Sequence, residues 1–201
     1  MSIKVVVTAF GPFAGFEENP SQQVVEALQG LGLIAEQVEL VTELLQVDYE
    51  HVNQVVPALW RTHSPALMVH VGVHGRASKV VLEQCSFKSG YCRKDVKGDV
   101  PSNNCCQSGA ESILKSTIDV IGVVHAVNDQ MRDIEQQDVA ESSEDPGRYL
   151  CAYSFYVSLS HDCNRSLFVH VPTPSKRLPI EKQAHILKLI VTECLKQLNA
   201  L

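Results

Sequence analysis

Apolar and polar positions follow two periods along the chain. Ile3 to Phe10, Leu67 to Val73 and Ser166 to Val171 are largely apolar runs, and Lys79 to Glu83 is a shorter one. Runs of this length are expected of strands buried on both faces of a sheet. Between them the apolar residues recur at helical spacing. Ser21 opens a helix that turns Val24, Val25 and Leu28 inward and closes at Gly30 and Gly32. Glu36 to Leu44 predicts a second strand, and Asp48 caps a helix through Val52, Val55 and Leu59 toward His63. Further on, the pattern predicts a helix over Ala110 to Asn128, a polar strand over Glu135 to Ala140, and a helix carrying Leu150, Tyr153, Tyr156 and Val157. An amphipathic helix over Ile180 to Leu198 ends the chain. Strands that alternate with helices imply a twisted, mainly parallel sheet covered on both faces, a three-layer α/β/α sandwich. No linker interrupts residues 1–201, so one domain is expected.

In such sheets ligands bind beyond the C-terminal strand ends, where this reading puts Phe10, His70, Glu83 and His170. Residues 86–109 hold several Gly, Pro and Asn and few apolar residues, and are expected as a long loop over the site.

Composition narrows the function classes. Hydrophobic residues make up 45% and charged residues 20%, as in ordinary globular proteins, and the net charge is −6. An acidic chain without a Lys/Arg cluster predicts no nucleic-acid or acidic-membrane partner. No stretch is long enough to span a bilayer, and the N-terminus carries no signal pattern. Seven cysteines are an odd number, which favours free thiols over a disulfide framework and predicts a cytoplasmic location. The adjacent Cys105 and Cys106, with Cys85 and Cys92, match no zinc spacing, so neither metal nor cofactor is expected.

One cysteine is set apart. Cys151 follows Asp145-Pro146-Gly147 at the start of a helical pattern, and a helix N-terminus favours a thiolate through its aligned dipoles and unpaired N–H groups. A cysteine nucleophile needs a base, and the base needs an orienting group. His70 and His170 lie in near-identical local sequences, Val69-His70-Val71 and Val169-His170-Val171. Pattern alone hardly separates them, although Pro172 places His170 nearer a strand end. Glu83, closing an apolar run, is either a solvated strand end or a buried charge that orients the histidine.

These residues fall within a wider pattern. The segments Val7-Thr8-Ala9-Phe10-Gly11-Pro12-Phe13, Asn19-Pro20-Ser21, Pro57-Ala58-Leu59-Trp60, His63-Ser64-Pro65, Val69-His70-Val71-Gly72-Val73, Leu82-Glu83-Gln84-Cys85, Gly147-Arg148-Tyr149-Leu150-Cys151 and Phe168-Val169-His170-Val171-Pro172 resemble, in order, the pyroglutamyl peptidase I family of cysteine peptidases, in its animal-type branch. The resemblance implies Glu83, Cys151 and His170 as the catalytic residues. It implies Phe10 and Phe13 as aromatic walls for a lactam ring, with Asn19 and Val73 also at the substrate. The implied substrates are small peptides with an N-terminal pyroglutamyl residue, and the implied state is a monomer. Two departures stand out. Ala9 replaces a family glycine, which would strain the loop if that position needs positive φ, and Cys92 replaces a basic residue. A silent relative that only binds blocked peptides, and a redox- or metal-regulated interaction protein, are the alternatives.

Overall fold

The computed structural model describes residues 2–13, 17–32 and 35–200. Strand β1 (Ile3–Phe10) leads to helix α1 (Pro20–Gly30), whose N-cap Asn19 accepts from the Ser21 N–H. Residues 14–16 of the expected loop lie outside the described residues. Next come β2 (Val38–Leu45), α2 (Tyr49–His63), which Asp48 caps by accepting from the Glu50 and His51 N–H groups, and β3 (Leu67–Val73). The chain continues through β4 (Val80–Glu83), β5 (Cys85–Phe87), β6 (Ile113–Lys115), α3 (Val120–Met131) and β7 (Ala140–Ser143). It ends with α4 (Leu150–His161), β8 (Ser166–Val171) and α5 (Ile180–Gln197).

Six strands form one sheet in the order β2-β1-β3-β8-β4-β7. Alternate residues of each strand enter opposite cores, as the two-residue strand period requires. Val5 and Val7 of β1 pack with α1, α3 and α5, whereas Val6 and Phe10 pack with α2 and α4. The expected three layers and mainly parallel sheet are present, with one reversal. β4 pairs antiparallel with β8, and β7 runs parallel to β4, so two strands oppose the other four.

Two expectations need correction, and a third is refined. The helix expected from Ala110 is β6 followed by α3, because Asp119 caps the helix nine residues later by accepting from the Gly122 N–H. The polar strand expected over Glu135 to Ala140 begins at Ala140, where it pairs with Val80. Residues 86–109 are a long loop for most of their length, as expected, but a firmly anchored one. They begin in β5, which pairs with β6, and β5 and β6 lie against α4. Tyr91 and Cys106 are buried, and the Ser86 hydroxyl donates to the Ala152 carbonyl at 2.6 Å. Tyr49, Tyr91 and Tyr153 meet edge to face at centroid distances of 4.9–6.3 Å. This cover explains why α4 is apolar nearly all round, the pattern of a helix enclosed on every side. Among the described residues no helix is long and apolar enough to cross a membrane.

Candidate active site

The site stands on the sheet face covered by α2 and α4, and strand register assembles it. Thr8 of β1 pairs with His70 of β3, His70 with Phe168 of β8, and Phe168 with Glu83 of β4. One step nearer the rim, Gly72 pairs with His170 and His170 with Val81. Glu83 and His170 are therefore diagonal cross-strand neighbours on one face, the arrangement that lets long side chains touch. His170 Nδ1 and Glu83 Oε1 lie 2.8 Å apart, and both side chains are almost wholly buried. Glu83 Oε2 has no hydrogen-bond partner among the described residues. A buried carboxylate needs a paired donor, and the imidazole Nδ1–H supplies it.

Strand direction changes two placements read from the sequence. Glu83 is the last residue of β4, but because β4 is reversed this end lies level with Phe168, beneath His170 and away from the rim. His70 is not at a strand end either. It is fully buried in mid-strand, bonded through Nδ1 to the Thr8 hydroxyl at 2.7 Å, and burial pulls its pKa down to about 3. Of the two histidines, His70 is the core residue and His170 the one facing a cavity.

Cys151 is the second residue of α4, after an extended Tyr149 that makes no side-chain cap. Gly147 turns the chain with φ 78°, and its N–H donates to Asp145 Oδ1 at 3.1 Å. The thiol rests over Gly72. A Cβ at that position would lie 2.7 Å from Cys151 Sγ and 2.8 Å from Phe168 Cζ, so only glycine admits the sulfur here. Gly72 and His170 are register partners on adjacent strands, about 4.8 Å apart, so the sulfur over Gly72 stands level with the residue that carries the imidazole. Burial pushes the thiol up to about 12, and the Glu83 charge adds to this, while its own backbone N–H and Arg93 act the other way. Burial thus opposes the thiolate that the helix terminus favours.

Cys151 and His170 share a cavity of about 280 Å³ with Phe10, Phe13, Asn19 and Val73, so six of the seven expected site residues line it and Glu83 stands behind His170. Val47 and Leu150 extend its apolar wall. Asn19 is already engaged: Oδ1 accepts from the Ser21 N–H and hydroxyl, and Nδ2 donates to the Gly11 carbonyl at 3.0 Å. One Nδ2 hydrogen is left for a ligand. Ala9 is an ordinary strand residue outside the positive-φ set, with its side chain in the opposite core, so this departure leaves the loop unstrained. Cys106 is buried, whereas Cys92 is exposed. Among the described residues no group of three His, Cys, Asp or Glu could hold a metal ion.

The sequence reading overlooked Gly72, whose role depends on what packs above it, and His74, which meets the His170 ring edge to face at 5.4 Å. Val47 at the cavity carried no motif of its own, and Arg93 stands one residue after Cys92, where the resemblance puts a basic side chain.

An α/β sandwich in which a helix-start cysteine shares a cavity with a histidine that is held by a buried carboxylate has the architecture of a cysteine hydrolase. The family model for pyroglutamyl peptidase PgaPase_1 matches residues 1–175. The chain is 40% identical over 195 residues to pyroglutamyl-peptidase 1 of Homo sapiens, covering 97% of this chain and 91% of that protein. It is 34% identical over 173 residues to the human pyroglutamyl-peptidase 1-like protein, covering 86% and 85%. A mutant pyrrolidone carboxyl peptidase of Pyrococcus furiosus shares the fold with a TM-score of 0.84 at 23% identity, covering 98% of this chain and 100% of that one. The pyroglutamyl peptidase I of Bacillus amyloliquefaciens does so with a TM-score of 0.79 at 21% identity, covering 95% and 96%. The chain belongs to the pyroglutamyl peptidase family.

Proposed function

We propose that this protein is a cysteine peptidase that removes the N-terminal pyroglutamyl residue from small peptides, with Cys151 as nucleophile, His170 as base and acid, and Glu83 as the group that orients His170. The observation that carries the reading is the buried 2.8 Å contact between His170 Nδ1 and Glu83 Oε1, behind a cavity that His170 shares with Cys151. With Nδ1–H given to the carboxylate, Nε2 is the free basic nitrogen of the ring. The raised thiol pKa supports proton transfer from Cys151 to His170 as attack begins, with Glu83 stabilising the imidazolium.

The sulfur then bonds to the pyroglutamyl carbonyl carbon, and the imidazolium returns its proton to the departing amine. Water, deprotonated by the same imidazole, releases pyroglutamate from the thioester. Three backbone N–H groups at the start of α4, on Leu150, Cys151 and Ala152, have no helical acceptor and are candidates for the oxyanion. The cavity suits the lactam. Phe10, Phe13, Val47 and Val73 offer apolar walls, and the ring brings no ammonium charge to desolvate. Seven free cysteines fit a reducing, cytoplasmic setting, and we read the working unit as a monomer formed by one domain.

The test is release of a fluorescent amine from a pyroglutamyl conjugate. The wild type is expected to turn over with reductant and with EDTA, and Cys151→Ser to lose more than a thousandfold. Turnover that survives in Cys151→Ser, or stops on chelation, would refute the assignment. Binding of the conjugate without turnover would favour the silent relative.

A further inference from the structure

Two guanidinium groups line the cavity, and only one is neutralised. Arg148 is paired with Asp145 at 2.6 Å, and its Cζ lies 3.5 Å from the centroid of the Phe87 ring. Arg93 is different. Its Cζ lies 4.2 Å from the centroid of the Tyr149 ring, and among the described residues its side chain makes neither an ion pair nor a hydrogen bond. The nearest carboxylate in sequence, Asp95, is buried and occupied by the N–H groups of Tyr49, Lys97 and Asp99.

The segment that carries Arg93 is pinned on both sides. The Tyr49 hydroxyl donates to the Arg93 carbonyl at 2.9 Å, and the Tyr149 hydroxyl donates to the Lys94 carbonyl at 3.1 Å. A planar cation is thus stacked in a fixed place at the mouth of a cavity whose inner walls suit an uncharged ring, in a chain whose net charge is −6.

Resting on the function proposed above, we infer that Arg93 selects substrates with a carboxylate next to the scissile bond. The pyroglutamyl ring carries no charge for it to meet, so its partner lies on the departing side. Either the terminal carboxylate of a pyroglutamyl dipeptide or an Asp or Glu side chain directly after the pyroglutamyl residue presents the group that a guanidinium fork matches. Because Arg93 is exposed, the contact is screened by salt, and the preference is modest.

The experiment compares pyroglutamyl-alanine with its amide, and pyroglutamyl-aspartyl amide with pyroglutamyl-asparaginyl amide, in wild type and Arg93→Gln. The wild type is expected to favour the acid of each pair by roughly threefold to fivefold in kcat/KM, through KM, and to lose the preference with added salt. The dipeptide pair reads the terminal carboxylate and the amide pair reads the side chain; a preference in either supports the inference. In Arg93→Gln the ratios fall to near one, while Arg93→Lys keeps part of them. Arg93 also favours the Cys151 thiolate, so a loss common to all four substrates is expected in addition.

Equal rates within both pairs in the wild type overturn the inference. So does a uniform loss in Arg93→Gln that leaves the ratios unchanged. Titration calorimetry on Cys151→Ala reads the same preference in Kd without needing turnover. A carboxylate preference there in a wild type that releases no pyroglutamate would overturn the peptidase reading and leave this one standing.

Discussion

The most direct probe of the site's geometry is Gly72→Ala, a change of one methyl group in a strand that touches no substrate-sized space of its own. The new Cβ would stand 2.7 Å from Cys151 Sγ and 2.8 Å from Phe168 Cζ, where ordinary contact begins at 3.4 Å. Phe168 is fully buried and braced by Phe155 at a centroid distance of 6.0 Å, so the sulfur is the softer neighbour. It must retreat by about 0.7 Å. Misplacing a reacting atom by 1 Å costs on the order of a hundredfold, so about 0.7 Å corresponds to roughly 30-fold in kcat, or ~2 kcal/mol. Rotation of the thiol to another rotamer would cost more. Overpacking should also lower stability by about 1–3 kcal/mol. The assay is therefore run well below the unfolding midpoint, with urea unfolding in parallel. The expected result is a kcat about 30-fold lower with KM little changed, because the ring-binding walls are untouched. A folded variant that keeps kcat within twofold, or that loses only KM, would refute the claim that Gly72 holds the thiol in register with His170.

Further outcomes follow from the buried groups. Glu83→Gln keeps shape and removes charge, so the imidazolium loses its counter-ion and the tautomer is no longer fixed; kcat should fall roughly 10²–10⁴-fold in the same amine-release assay, and a loss under threefold would count against the orienting role. His70 is held neutral with its pKa near 3 against 6.5 for the free group, so the folded state binds fewer protons in that window and stability is lost as pH falls from 6.5 toward 3, by about 1.4 kcal/mol per pH unit. Urea titrations at stepped pH should show this slope diminished in His70→Gln; an identical acid profile would refute it. Cys194, on the buried face of α5 with its thiol raised to about 12, gives the mirror case: its contribution is complete below pH 9 and lost between 9 and about 12, so Cys194→Ala should flatten alkaline unfolding by one proton's slope.

Much of the architecture was legible because it rests on periodicity. The Ile3 to Phe10 run reads as a strand buried on both sides since half its residues enter each core. Asp48 caps its helix as its side chain suggests, whereas the first helix is capped by Asn19, two residues before the expected start at Ser21. Boundaries failed where a polar or β-branched stretch separates two elements, as at Ser116 to Asp119, because a helical pattern gives no sign of where an N-cap interrupts it. The anchoring of the 86–109 loop was missed for a related reason. Its buried anchors are Tyr91 and Cys106, engaged across the chain, and single anchors of this kind leave no periodic trace.

The site was legible in its membership and not in its geometry, and the reversed strand explains the difference. The short apolar run before Glu83 says that a strand is present but nothing of its direction, since a strand's side-chain alternation is the same read either way. Had β4 run parallel to β8, its C-terminal residue would have stood at the rim beside His170, exposed to substrate and solvent. Antiparallel pairing sets it level with Phe168, so the carboxylate reaches His170 diagonally from below and stays dry. A dry carboxylate with one unpartnered oxygen holds an imidazolium more strongly than a solvated one, because little water competes for the charge. The same depth keeps Glu83 off the cavity wall, which leaves the cavity's inner face to Phe10, Phe13 and Val73 and the Arg93 guanidinium, unpaired among the described residues, to the mouth. Strand direction thus separates the charge that serves the histidine from the charge available to a substrate.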